Sequence, residues 1–150
     1  MRYWLMKSEP DEFSIDDLAK RKVEPWSGVR NYQARNYMRD GMRAGDGVLF
    51  YHSSCAEPGV VGIAEISAEA HPDPTQFDPR SDYYDAASKP DEPRWLLVDV
   101  KFKRKLKRTI ALTELKDQAQ LDEFALVKRG NRLSVMPVTK QEWDFILSLE

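Results

Sequence analysis

Cysteine is nearly absent from this chain: Cys55 is the only one in 150 residues. An intramolecular disulfide is therefore excluded, and a reducing, cytoplasmic compartment is the expectation. Long apolar runs are missing too. No stretch approaches the roughly 20 apolar residues of a membrane span, and "MRYWLMKSEP" has neither the apolar centre nor the small-residue cleavage site of a signal peptide. No membrane partner is expected. Nor is there an excess of basic charge. The 23 Lys and Arg stand against 25 Asp and Glu, a net charge of −2, which excludes a global electrostatic grip on nucleic acid. No Gly-x-Gly-x-x-Gly or P-loop occurs, and Gly45 and Gly47 read as a turn before a strand. His52, His71 and Cys55 lack zinc-site spacing. Asp73, Asp78, Asp82 and Asp85 lack the EF-hand pattern and read as turn residues beside prolines. Neither metal nor cofactor is expected.

What is present is enough for one core: 41% hydrophobic and 11% aromatic residues, with no repeat or linker. A single domain spanning 1–150, and a monomer, are expected. "RYWLMK" reads as a first strand. "SIDDLAKR" reads as a short helix with Ser14 and Asp17 as a capping box. Asn31 to Asp40 reads as a second helix closed by Gly41, with Ala34, Tyr37 and Met38 as its apolar stripe. Strands follow at "GVLFYH", "GVVGIAEISAEAH", "RWLLVDVKFKRKLKR" and "RLSVMPV". In the third of these, Leu96, Val98, Val100 and Phe102 share one face, with Asp99, Lys101, Lys103 and Lys105 on the other. "PDPTQFDPRSDYYDAASKPDEP" reads as a long irregular loop, and long loops are often functional. Thr139 and Glu142 cap a C-terminal helix. Close-spaced strands with helices at the ends predict an α+β fold.

Three features are candidates for function. "YHSSC" sets His52 three residues before Cys55, the pair a hydrolase or transferase would need; the sequence shows no third member. The run "KFKRKLKR" is either a phosphate platform or a solvated strand whose lysines discourage edge pairing. "EPWSGVRNYQARNYMRD" puts Trp26 in a turn outside any periodic pattern, ahead of a helix rich in amides, arginines and tyrosines. A turn tryptophan is either a lid over core or a surface on which a base stacks. Gln33 and Asn36 either read a base or tie the helix to a neighbouring loop.

"YWLMKSEPDEFSIDDL", "WSGVRNYQARN", "FYHSSC", "PGVVGIAEI", "YYD", "PRWLLVDVKF" and "RLSVMPVT" occur in that order from about Tyr3 to Leu149. By these strings the chain resembles the EVE domain proteins. The resemblance implies a PUA-like fold, a small strongly curved β-barrel flanked by helices. It implies a module without catalysis that binds a modified, methylated base of DNA or RNA in an aromatic pocket. By looser analogy with YTH-like domains, Trp26 would stack on the base, and Ser8 and Ser27 would bond its edge. Asn31 would read a Watson–Crick edge, and Tyr51, His52 and Ser53 would line the pocket. Tyr83 or Tyr84 would supply its second wall. Lys7, Arg30, Arg35 and Arg132 would meet the phosphate backbone. The alternative within the same superfamily is an RNA-modification accessory module that reads shape and phosphates through the Lys101–Lys107 face.

Overall fold

The computed structural model describes residues 1–150. Strand β1 (Tyr3–Ser8) is followed by helix α1 (Ile15–Arg21) and a short strand β2 (Val23–Pro25). Helix α2 (Tyr32–Asn36) runs into a π-helical turn (Tyr37–Gly41). Strands β3 (Gly47–His52), β4 (Gly59–Pro72) and β5 (Leu96–Ala111) form the centre. Helix α3 (Leu112–Lys116), strand β6 (Val135–Val138) and helix α4 (Lys140–Ser148) complete the chain. No helix is long and apolar enough to cross a membrane.

The strands form one sheet ordered β2-β5-β4-β3-β1-β6. Only β1 and β3 pair in parallel. The sheet does not close: β2 pairs only with β5 and β6 only with β1, so the expected barrel is an open six-stranded sheet. Each edge strand carries a proline, Pro25 or Pro137, which removes a donor where another chain would otherwise add. β2 was not legible in the sequence, because three residues are too few to show a period.

Two cores lie on opposite faces of the sheet. In β1, Trp4 and Met6 join one and Leu5 the other; in β3, Val48 and Phe50 join the first, Leu49 and Tyr51 the second. Strands buried on both faces read as unbroken apolar runs, as "GVLFYH" does. The first core packs against α1 and α2, the second against α3 and α4. Both capping boxes form, Ser14 with Asp17 and Thr139 with Glu142. Each is worth about 1 kcal/mol to its helix.

β5 departs from simple alternation. Its pairing with β4 shifts register at several points, with extra residues on β5 between Phe102 and Arg104 and again between Lys105 and Ile110. Consequently Lys103, Arg104 and Lys105 are all exposed; upstream, where the extra residues lie on β4, Leu97 rather than Leu96 is buried. The strand serves the first core through Val98 and Val100 and the second through Leu106 and Ile110. Bulges of this kind add twist and re-aim side chains. Gly41 also differs from expectation. It does not cap α2; it lies inside the π turn, where an added Cβ would sit 2.6 Å from the Trp4 ring.

Candidate nucleic-acid interface

The parallel pair β1 and β3 ends on the same side of the sheet, and β6 begins there because it runs antiparallel to β1. The Ser53 amide donates to the Ser8 carbonyl at 3.0 Å, and the Lys7 amide to the Ser134 carbonyl at 2.8 Å. Three chain segments are thereby stitched together at one rim. The β2–α2 turn faces them, and between lies a cleft of about 560 Å³. Its lining includes Lys7, Ser8, Trp26, Ser27, Ser53, Tyr83 and Arg132. Glu9, Glu12, Gly28, Ser54 and Ser134 also line it, none of them among the expected site residues.

Trp26 is the floor, and mostly core. It is only 8% exposed, edge-on to Phe50 at 5.5 Å and to Phe13 at 6.3 Å between ring centroids. Its amide donates to the Val98 carbonyl, locking the turn to β5. The expectation of a broad stacking face is therefore corrected to a ring that is largely buried. The indole N–H has no acceptor in the protein and is not sealed from solvent.

The second wall comes from the long loop, which is less irregular than its sequence suggests. Buried Gln76 uses all four of its hydrogen-bonding positions: its amide donates to the Asp73 and Trp95 carbonyls, and its oxygen accepts from Ser88 and the Trp95 amide. Asp73, fully buried, accepts from the amides of Gly28 and Thr75, the Thr75 hydroxyl and the Arg30 guanidinium. Burial alone would raise its carboxyl pKa; those bonds outweigh burial and hold it below the usual value. Asp73, Asp78 and Asp85 also each accept the amide two residues on, the turn role expected of them.

Arg30 links this network to the wall. All five of its N–H groups are taken, by the Val29 and Tyr83 carbonyls, Asp73 and Thr75. It has none left for phosphate, so its expected backbone contact is corrected to a structural brace. The guanidinium lies 5.5 Å from the Tyr83 ring centroid. Tyr83 in turn lies over Gly28, whose positive φ of 87° and missing side chain admit the ring. Tyr84 is exposed and does not line the cleft.

Other expected site residues have different work. Asn31 caps α2: its oxygen accepts the Ala34 amide, and it does not line the cleft. Tyr51 points into the second core, on the opposite face of the sheet from Phe50, and burial pushes its phenol up to about 12. His52 accepts the Ile15 amide at 3.1 Å, which fixes the start of α1; burial lowers its pKa, keeping it neutral. That lone pair is not free to activate Cys55. Arg35 lies away from the cleft, bonded to Asn36 and the Arg94 carbonyl. Gln33 donates to the Tyr37 hydroxyl, so both undecided amides tie α2 internally. The hydroxyl of Ser8 donates to the Phe13 carbonyl and retains only acceptor capacity. Ser27, Ser53, Lys7 and Arg132 keep free groups at the cleft, and burial without a carboxylate partner lowers the Lys7 pKa.

Four of the six basic residues in the run on β5 are paired in place. Lys103 pairs with Glu65, Arg104 with Glu150, Lys105 with Asp16 and Arg108 with Glu114. None of these residues lines the cleft. A larger, more apolar cleft of about 890 Å³ lies between β1, the π turn and β6. Two of its polar side chains, Asn36 and Tyr37, are already engaged with neighbours. The smaller cleft brings together the free groups of Lys7, Ser27, Ser53 and Arg132. No group of three or more His, Cys, Asp or Glu side chains is placed to hold a metal ion.

The sequence profile of the EVE domain family matches residues 2–149. Mouse thymocyte nuclear protein 1 is 48% identical over 167 aligned positions, covering 99% of this chain and 73% of that protein. A crystal structure from Pseudomonas syringae is 52% identical with a TM-score of 0.95, each chain covered to 98%. The structure of human THYN1 protein in complex with 5-methylcytosine-containing DNA is 46% identical with a TM-score of 0.94, covering 99% of this chain and 97% of that one.

Proposed function

Since the chain belongs to the EVE domain family, we propose that it is a non-enzymatic module that binds a modified base of DNA, holding it in the cleft between Trp26 and Tyr83. The observation that carries the reading is the human relative bound to 5-methylcytosine-containing DNA, whose fold this chain shares throughout. The cleft has the chemistry for the task. The Lys7 ammonium and the Ser27 and Ser53 hydroxyls are available to a base edge or its phosphate. Tyr83 supplies an aromatic wall, and Trp26 lies at the floor.

A base drawn out of a duplex forfeits a few kcal/mol of stacking and pairing. One aromatic wall returns about 1–3 kcal/mol, and edge hydrogen bonds supply the remainder. Burying one methyl adds about 0.8 kcal/mol, roughly a four-fold preference. Stronger discrimination requires a polar contact that the unmodified base cannot make. The test is a binding panel of oligonucleotides carrying 5-methylcytosine, N6-methyladenine or unmodified bases, as DNA and as RNA. Wild type is compared with Tyr83→Ala and Lys7→Ala, chosen because neither residue belongs to a core. Preference for a modified DNA, lost in Tyr83→Ala, supports the reading; equal affinity across the panel in all three proteins refutes it.

A further inference from the structure

Negative charge is out of place in a cleft that takes up part of a polyanion, yet this cleft carries two carboxylates with nothing to balance them. Glu9 and Glu12 sit in the turn that leaves β1, and both line the cleft. Their backbones are in use: the Glu9 carbonyl accepts the Glu12 and Phe13 amides at 3.0 and 2.9 Å, which fixes the turn. Their side chains are exposed, and neither takes part in an ion pair. The third carboxylate of the lining, Glu24, differs, because it is paired with Arg21 at 3.3 Å.

Glu12 acts the more strongly on the cleft wall. Burial raises the pKa of the Tyr83 phenol, and the Glu12 charge adds to that rise more than Asp82 or Glu9 does. Of these three, Asp82 does not line the cleft. Glu12 therefore combines a place in the lining, an unpartnered carboxylate and a field that reaches the wall.

Methylated cytosine poses a problem of selection. 5-Methylcytosine and thymine carry the same methyl group at the same ring position, so methyl burial cannot tell them apart. They differ at position 4, where one has an amine that donates and the other an oxygen that accepts. The free Lys7 and Arg132 side chains only donate and favour the oxygen, whereas the Ser27 and Ser53 hydroxyls serve either base. The Ser8 hydroxyl, spent as a donor on the Phe13 carbonyl, accepts but is uncharged. A carboxylate only accepts, and with full charge: it bonds the amine and repels the oxygen.

We propose that Glu12 is the specificity-determining residue of the cleft, its carboxylate accepting from the 4-amino group of a methylated cytosine and rejecting thymine. The proposal rests on the cleft reading above and narrows its ligand to a methylated base that carries an amine.

The test uses four single-stranded DNA probes that differ in one central base: cytosine, 5-methylcytosine, uracil or thymine. Together they separate the amine from the methyl. Wild type is expected to bind 5-methylcytosine at least about five-fold more tightly than thymine, and cytosine over uracil by a similar factor, the lower end for reading one base edge. Glu12→Gln is expected to abolish both preferences, because its amide offers a donor as readily as an acceptor. It should leave the preference for 5-methylcytosine over cytosine unchanged. Asp82→Asn removes a neighbouring charge outside the lining and is expected to keep every ratio. The proposal is overturned if wild type binds thymine as tightly as 5-methylcytosine, or if Glu12→Gln keeps the wild-type ratio. It is equally overturned if Asp82→Asn loses that ratio as fully, since a general field and not the Glu12 carboxylate would then select the base. Failure of the cleft reading shows separately, as full binding of all four probes by both Tyr83→Ala and Lys7→Ala.

Discussion

Gly28→Ala would probe the wall from beneath. The new Cβ would lie 2.7 Å from Tyr83 Cζ and 2.8 Å from Cε2. Carbon atoms pack at about 3.5–4.0 Å, so the ring must retreat by roughly 0.8 Å or the turn must shift. The φ of 87° adds a conformational cost of about 1–2 kcal/mol for any residue with a Cβ. At about 2–4 °C per kcal/mol for a chain of this length, the melting temperature should fall by about 2–8 °C. Displacing Tyr83 should also weaken the modified-DNA probe about five-fold or more, the lower end of a lost stack. A double-mutant cycle separates strain from clash. In a Tyr83→Ala background the steric part disappears, so Gly28→Ala should cost measurably less stability than it does in wild type. Equal stability losses in both backgrounds, with unchanged DNA affinity, would refute the assignment of Tyr83 as the wall.

Four further outcomes are expected. Because Lys7, Arg132 and Arg35 are the only expected backbone contacts with donors to spare, the slope of log K against log salt for single-stranded DNA should be about −2; a slope near −6 would point to an unrecognised basic surface. Asp73 has a folded pKa below the usual value, so its stabilisation is complete above about pH 4 and is lost as pH falls through the lower folded value. Asp73→Asn should cost about 3 kcal/mol at pH 7 by stranding Arg30, and melting curves at pH 7 and pH 2 should converge toward each other relative to wild type. His52 also has a depressed pKa, so its bond to the Ile15 amide contributes fully above about pH 6.5 and is lost as the solution is acidified below that. His52→Ala should therefore cost about 1 kcal/mol at pH 8 and progressively less toward pH 5, whereas a constant cost would show that the bond is not sensitive to protonation. Reversing Lys103 and Lys105 to Glu should leave DNA affinity within two-fold, since neither lines the cleft and exposed charges away from it are screened; a loss of ten-fold or more would revive the lysine face as a binding surface.

What could be read in advance followed from local rules. Capping boxes at Ser14 and Thr139, the apolar runs of β1 and β3, and the turn position of Trp26 depend on neighbours within a few residues. What could not be read depended on residues far apart in sequence. Gly28 looked like a turn glycine; its partner at the cleft is Tyr83, and its amide is held by Asp73, 45 residues on. Arg30 looked like a phosphate ligand, because nothing local announces that five separate bonds will occupy it. Asn31 shows the opposite error. The spacing to Ala34 marks an N-cap, and a short polar residue before a helix is more often a cap than a reader. The lysine stripe of β5 failed for a third reason: bulges break the two-residue period, and sequence does not mark where they fall.

The position of the cleft follows from the one parallel pairing in the sheet. A parallel pair ends on one side, and both chains must leave there through loops that carry unpaired backbone and small polar residues. In open sheets that is where ligands settle. Here the ends are Ser8 and His52, and the loops that leave them carry Glu9, Glu12, Ser53 and Ser54 into the cleft. An antiparallel hairpin at the same place would have closed the gap with a two-residue turn. β6 contributes Ser134 only because it runs antiparallel to β1 and so begins where β1 ends. Trp26 is fixed from the far edge of the sheet through its bond to β5. The floor and the polar rim therefore come from opposite edges of one sheet. Any change that loosened the edge strand β2 would move Trp26 without touching the rim, and the cleft would lose its floor before it lost its hydrogen-bonding groups.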